Sequence, residues 1–84
     1  MQTVTLYTTN HCPYCLNAKV LLSRKGIVAT ELNVESSPQL LAQMMQRTGR
    51  RTVPQIYIGD RHIGGFDDLA ALERRGELDD LLQA

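Results

Sequence analysis

Val4-Thr5-Leu6-Tyr7-Thr8-Thr9-Asn10-His11-Cys12-Pro13-Tyr14-Cys15 passes from a strand into a helix, with two cysteines at the join. Val4 to Thr8 alternates in polarity and is rich in β-forming residues, which reads as a strand. Pro13 stands where a helix's first turn belongs, because the N–H it lacks is one that a helix start leaves unpaired anyway. Gly26 after Lys25 supplies a stop, so a helix is expected over about 13–25. Cys12 then falls at the helix tip and Cys15 one turn in. A helix start exposes N–H donors and a partial positive charge. Sulfur at Cys12 can accept from the Tyr14 and Cys15 N–H groups, whereas Pro13 has none to give. Thiolate, the attacking form of cysteine, is thereby favoured. Cys15 is positioned to attack the Cys12 sulfur once that sulfur is held in a mixed disulfide.

Further along, short elements alternate with clear punctuation. Ala29 to Val34 reads as a second strand, with Val28, Thr30, Leu32 and Val34 in alternation. Ser37-Pro38 is an N-cap and first-turn pair. Leu40, Leu41, Met44 and Met45 follow at helical spacing, core or surface by this reading, until Gly49. Val53 to Ile58 is strand-like, and Gly59-Asp60 separates it from Arg61-His62-Ile63 as a two-residue hairpin signal. Gly64-Gly65 breaks the chain. Asp67 can cap a last helix carrying Leu69, Ala70 and Leu72, ended by Gly76 ahead of Leu78, Leu81 and Leu82. The order β-α-β-α-β-β-α implies an α/β protein with a four-stranded mixed sheet flanked by three helices, the thioredoxin fold.

The chain has 84 residues, enough for one domain (1–84) with a thin core, since a chain of this size buries only about 60% of its unfolded surface. Small scaffolds often rely on disulfide staples. Cys12 and Cys15 are its only cysteines, and a bridge between them closes a four-residue loop, worth only about 2 kcal/mol of chain entropy. A disulfide framework is excluded, and the pair is the place to look for function. Nine basic and nine acidic residues give zero net charge, which argues against a nucleic-acid binder. No long apolar run suggests a membrane span, and Met1 to Thr5 lacks the basic and apolar regions of a secretory signal. A reducing, cytoplasmic setting is expected, where Cys-x-x-Cys is redox-active or metal-binding rather than a permanent bridge.

Charge is unevenly spread. Lys19, Arg24 and Lys25 precede the first acid, Glu31; Arg47, Arg50 and Arg51 cluster; seven acids fall within 60–84. A basic surround for the cysteines facing an acidic group would suit a zwitterionic ligand. Zinc needs about four ligands, and only Cys12, Cys15, His11 and His62 offer themselves, without finger-like spacing. An iron–sulfur cluster needs more thiolates than one chain has, so it would require a dimer or an external thiol. A redox dithiol fits best; a cluster carrier is the alternative from another class.

Cys12-Pro13-Tyr14-Cys15, Thr52-Val53-Pro54-Gln55-Ile56 and Ile63-Gly64-Gly65-Phe66-Asp67-Asp68, in this order and spacing, resemble the dithiol glutaredoxins nearly end to end. The likeness is strongest to the short bacterial type that includes glutaredoxin 3. It implies a monomeric enzyme that reduces protein disulfides and glutathionylated thiols with glutathione and no metal. Redoxins fed by thioredoxin reductase are the other branch, and they usually lack Pro-Tyr between the cysteines. By resemblance Cys12 is the nucleophile and Cys15 the resolving thiol. Tyr14 would flank bound glutathione, while Thr52, Val53, Pro54 and Gly65 would line its site, Val53 through its backbone. Asp67 and Asp68 would receive the γ-glutamyl ammonium. Asp67 is equally well explained as a plain cap, so the ligand contact falls first to Asp68. Pro54 would follow a cis bond, although the sequence alone favours trans, since only about 5–6% of X–Pro bonds in folded proteins are cis. One departure stands out: Thr9 occupies the place of the family's lysine, so a positive contact would fall to Arg47, Arg50 or Arg51. His11 and His62 read as ordinary polar residues.

Overall fold

A computed structural model describes residues 2–84. Its elements are β1 Val4–Thr8, α1 Pro13–Arg24, β2 Thr30–Asn33, α2 Pro38–Thr48, β3 Gln55–Ile58, β4 Arg61–Gly64, α3 Phe66–Arg74 and α4 Leu78–Gln83. The sheet order is β2-β1-β3-β4. β1 pairs parallel with β2 and antiparallel with β3, and β3 pairs antiparallel with β4, so the sheet is mixed. β3 begins at Gln55 rather than Val53 because it follows Pro54, whose nitrogen carries no hydrogen for a ladder bond. The expectation of three helices is one short. Gly76, at φ 72°, ends α3, and Leu78 and Leu82, buried four residues apart, hold the extra helix α4 on the core.

Alternation along the central strands splits the core into two layers. Val4 and Leu6 of β1, with Ile56 and Ile58 of β3, face Ala18 and Leu22 of α1, Leu69 and Leu72 of α3 and Leu78 and Leu82 of α4. Tyr7, next after Leu6, and Tyr57, between Ile56 and Ile58, face the other way onto Met44 of α2 and Val34. Met44 is thus core, and Met45 surface. Lys25 ties the end of α1 to the last two helices through Glu73 at 2.8 Å and Asp79 at 3.0 Å. No helix among the described residues is long and apolar enough to cross a membrane. This arrangement brings the start of α1, the loop before β3 and the start of α3 together at one end of the sheet.

Candidate active site

Cys12 is the N-cap of α1, in extended backbone, and Pro13 is the first helical residue. The Cys15 N–H donates to Cys12 Sγ at 3.1 Å. Of the two donors expected for this sulfur, Cys15 supplies the hydrogen bond. The cysteines are joined as a disulfide, their Cα atoms 5.2 Å apart. Cys12 is half-buried, whereas Cys15 is only 2% exposed. Solvent-borne disulfides therefore meet Cys12 first. The first turn of α1 contains no acid, so nothing there opposes negative charge on the sulfur.

Beside Cys12 runs a groove of about 330 Å³ lined by Tyr14, Arg50, Thr52, Val53, Pro54, Gln55, Gly65, Phe66, Asp67 and Asp68. All seven non-cysteine residues expected at a ligand site meet in it. Cys12 lies at its border, its sulfur 3.9 Å from the Val53 carbonyl oxygen. The Val53–Pro54 bond is cis, as the resemblance implies. Of the three arginines considered in place of the missing lysine, Arg50 lines this groove and Arg47 and Arg51 do not. Arg47 is committed elsewhere: it donates to the Tyr7 hydroxyl at 2.8 Å, and its guanidinium lies 3.9 Å from the centre of the Tyr57 ring.

The acidic pair is arranged differently from expectation. Gly65, not Asp67, is the N-cap of α3. Asp68 lies three residues on and reaches back, accepting the Gly65 N–H at 2.9 Å. Asp68 is therefore the capping side chain, and Asp67 occupies the first turn without that duty. Arg50 Nη1 lies 3.5 Å from the same Asp68 oxygen, so opposite charges face each other across the groove. Gly64 explains the local Gly-Gly pair: its φ is +117°, and a Cβ there would strike the Asp68 carboxylate. Gly65 carries no such demand. Gly64→Ala is expected to lower stability by about 2 kcal/mol through backbone strain, read in a urea unfolding curve, whereas Gly65→Ala costs less than half as much.

Two groove residues, Phe66 and Gln55, stand inside the quoted motifs but were given no role from the sequence, and Arg50 was one of three arginines the sequence did not separate. Gln55 is only 1% exposed, and its amide donates to the Thr52 carbonyl at 3.0 Å and the Thr52 hydroxyl at 3.2 Å. Its own carbonyl oxygen pairs with His62 Nε2 at 2.8 Å. The signal was a glutamine inside a continuous apolar strand, which must find partners when buried. His62 is accordingly more than a surface residue: it stacks on Tyr57 with ring centroids 5.1 Å apart. Burial pushes the His62 pKa below its ordinary value; Arg50 and Arg47 act in the same direction and Asp68 against it. A histidine that binds its proton more weakly when folded supports the fold above its unfolded pKa of about 6.5 and costs stability below it. Melting temperature should therefore fall between pH 7 and pH 5.5, and His62→Gln should lessen that fall in thermal melts.

Among the described residues, no group of three or more His, Cys, Asp or Glu side chains could hold a metal ion. The family model described as glutaredoxin matches residues 4–63. A glutaredoxin of Pseudomonas aeruginosa is 52% identical over 84 residues, covering 100% of both chains. Glutaredoxin 3 of Escherichia coli is 51% identical over 83 residues, covering 99% of this chain and 100% of its own. In three dimensions the chain resembles a buckwheat glutaredoxin crystallised as its glutathione complex, with TM-score 0.89 and 29% identity over 98% of this chain and 77% of that one. A disulfide-bonded cysteine pair at a helix tip and full-length relatives of this kind lead to one assignment: the chain belongs to the glutaredoxin family, the glutathione-dependent dithiol oxidoreductases.

Proposed function

We propose that residues 1–84 act as one monomeric glutaredoxin domain of the cytoplasm that reduces protein disulfides and glutathionylated thiols, with glutathione as reductant. The observation that carries this reading is the position of Cys12 at the edge of a groove with Arg50 on one wall and Asp67 and Asp68 on the other. Glutathione is a tripeptide with two carboxylates and one ammonium, so it needs charges of both signs at a spacing of a few ångströms. Arg50 takes a carboxylate. Asp67, free of capping duty, joins Asp68 in holding the ammonium, and the Val53 backbone pairs with the cysteinyl residue in the manner of an added strand. The buckwheat relative, crystallised as a glutathione complex, supports glutathione as the ligand.

The chemistry balances in thiol–disulfide exchange. The Cys12 thiolate attacks one sulfur of the target, forming a mixed disulfide and expelling the other sulfur as thiolate. Cys15 gives up its proton and attacks Cys12 Sγ, which releases the second target thiolate and closes the Cys12–Cys15 bond. One glutathione thiolate opens that bond at Cys12. A second attacks the resulting glutathionyl sulfur, leaving oxidised glutathione and the dithiol. With glutathione and glutathione reductase as the electron supply, turnover should exceed that with thioredoxin reductase at least tenfold in an NADPH-coupled assay. The opposite order would transfer the chain to the thioredoxin-reductase branch.

A further inference from the structure

We propose that the groove between α1 and α3 docks the polypeptide of a protein disulfide substrate, and that it selects a segment whose apolar side chain is flanked by acidic residues. The inference rests on the reading that protein disulfides are substrates, and it concerns what the chain grips beyond the reacting sulfur.

This second groove, of about 330 Å³, is separate from the one beside Cys12. Val20, Leu21 and Arg24 enter it from successive turns of α1, and Phe66, Ala70 and Arg74 from successive turns of α3. Its floor is apolar, and Val20 remains 44% exposed, unusual for a valine beside a packed helix pair. Phe66 is a wall of both grooves. Tyr14, between the cysteines and 60% exposed, has its ring centroid 6.3 Å from that of Phe66. An exposed apolar track therefore runs from the Cys-Pro-Tyr-Cys turn across Tyr14 and Phe66 to Val20. A tripeptide fills only the first groove; a protein whose sulfur is bonded to Cys12 must lay further chain somewhere, and this track leads away from the sulfur.

Charge identifies the occupant. Arg24 and Arg74 flank the groove, and neither has an ion-pair partner among the described residues. Glu73, the one acid lining it, is held by Lys25 at 2.8 Å. No acid precedes Glu31, so α1 adds none. An apolar slot between unpaired guanidinium groups fits an apolar residue with carboxylates on either side. A second copy of this chain fits poorly, because self-apposition of this face sets arginines against arginines.

The test uses the full chain and three substrates: the mixed disulfide of glutathione with 2-mercaptoethanol, a glutathionylated single-cysteine peptide carrying Glu-Leu-Glu beyond the cysteine, and the same peptide with Gln-Leu-Gln. Wild type should show a KM for the acidic peptide about fivefold below that for the neutral one. The double variant Arg24→Gln/Arg74→Gln should erase that preference. Val20→Glu, at an exposed position, should raise the KM of the acidic peptide about tenfold. Both variants should process the small mixed disulfide as wild type does. Equal KM for the two peptides in wild type, a preference that survives the double variant, or a dimer that the variants dissociate would overturn the proposal. If wild type fails on the small mixed disulfide, the redox reading itself falls and takes the docking surface with it; success there with no peptide preference removes the docking surface alone.

Discussion

Cys12→Ser should bring turnover of a glutathione mixed disulfide down to the uncatalysed background, a loss of at least a thousandfold, while the protein stays folded. The loss is chemical. A serine hydroxyl is not ionised near neutral pH and forms no bond to a disulfide sulfur, so the first step of exchange has no nucleophile. Serine suits the structural duty at this position well. The residue is an N-cap in extended backbone that accepts the Cys15 N–H, and serine is among the best residues for that role. Only the small contribution of the four-residue loop closure, about 2 kcal/mol in the oxidised protein, disappears. Urea unfolding of the reduced variant should therefore match reduced wild type within about 1 kcal/mol, or show a slight gain. Residual activity above a hundredth of wild type, with the fold intact, would remove Cys12 from the nucleophile's role.

That separation of chemistry from structure explains how much could be read from the sequence. β1, α1 and α2 were legible almost to the residue because strong local signals bound them: alternation in Val4–Thr8, Pro13 and Pro38 at helix starts, Ser37 as a cap whose side chain accepts the Leu40 N–H at 3.2 Å, and Gly26 and Gly49 at the ends. The parts of the site drawn from recurring motifs also came together as expected. What escaped depends on distance in space. Gln55 acquires its meaning only when β4 brings His62 alongside and the preceding loop folds Thr52 back over it. Arg47, Arg50 and Arg51 are indistinguishable in sequence, yet the end of α2 turns the first onto Tyr57 and the second into the groove. The capping roles of Asp67 and Asp68 were reversed because they depend on where α3 begins, and a shift of two residues in a helix start reassigns every first-turn side chain. α4 was missed because it is short and carries no side-chain cap, leaving only the spacing of Leu78 and Leu82 to mark it.

The groove beside Cys12 shows the same dependence on assembly. Arg50 and Asp68 are 18 residues apart in sequence and 3.5 Å apart in space, both about half exposed. An ion pair so exposed stabilises the fold little, by about 0–1 kcal/mol, so the two charges can be drawn apart by a ligand at small cost. Asp68 is the more constrained partner, because its carboxylate also caps α3. Arg50, on a loop beyond α2, has the freer side chain. A zwitterion entering the groove would then meet a fixed acid and an adjustable base, an arrangement that sets its orientation relative to Cys12 before any bond changes.

Cys15→Ser should divide the two activities proposed for wild type: reduction of a protein disulfide falls at least a hundredfold, whereas turnover of a glutathione mixed disulfide stays within a few fold of wild type. Both reactions begin with attack by Cys12, and they part at the second step. When the target is a protein disulfide, Cys12 is left bonded to a bulky chain that shields it from external thiols. Cys15 needs no access from solvent, since it is 2% exposed and its backbone N–H is already directed at the Cys12 sulfur. Its attack is intramolecular and gains the large effective concentration of a held reactant, which free glutathione cannot match. When the target is a small glutathione mixed disulfide, Cys12 carries only glutathione, a second glutathione reaches it, and Cys15 is dispensable. Serine buries a hydroxyl where a thiol lay, which costs about 1–3 kcal/mol if it finds no partner, so Cys15→Ala serves as the second variant. Mass spectrometry supplies the decisive readout: both variants should accumulate a covalent adduct of the chain with its protein substrate, bonded through Cys12 and released by dithiothreitol under denaturing conditions. Equal loss of both activities, or loss of protein disulfide reduction without such an adduct, would mean that Cys15 supports Cys12 structurally rather than resolving its mixed disulfide.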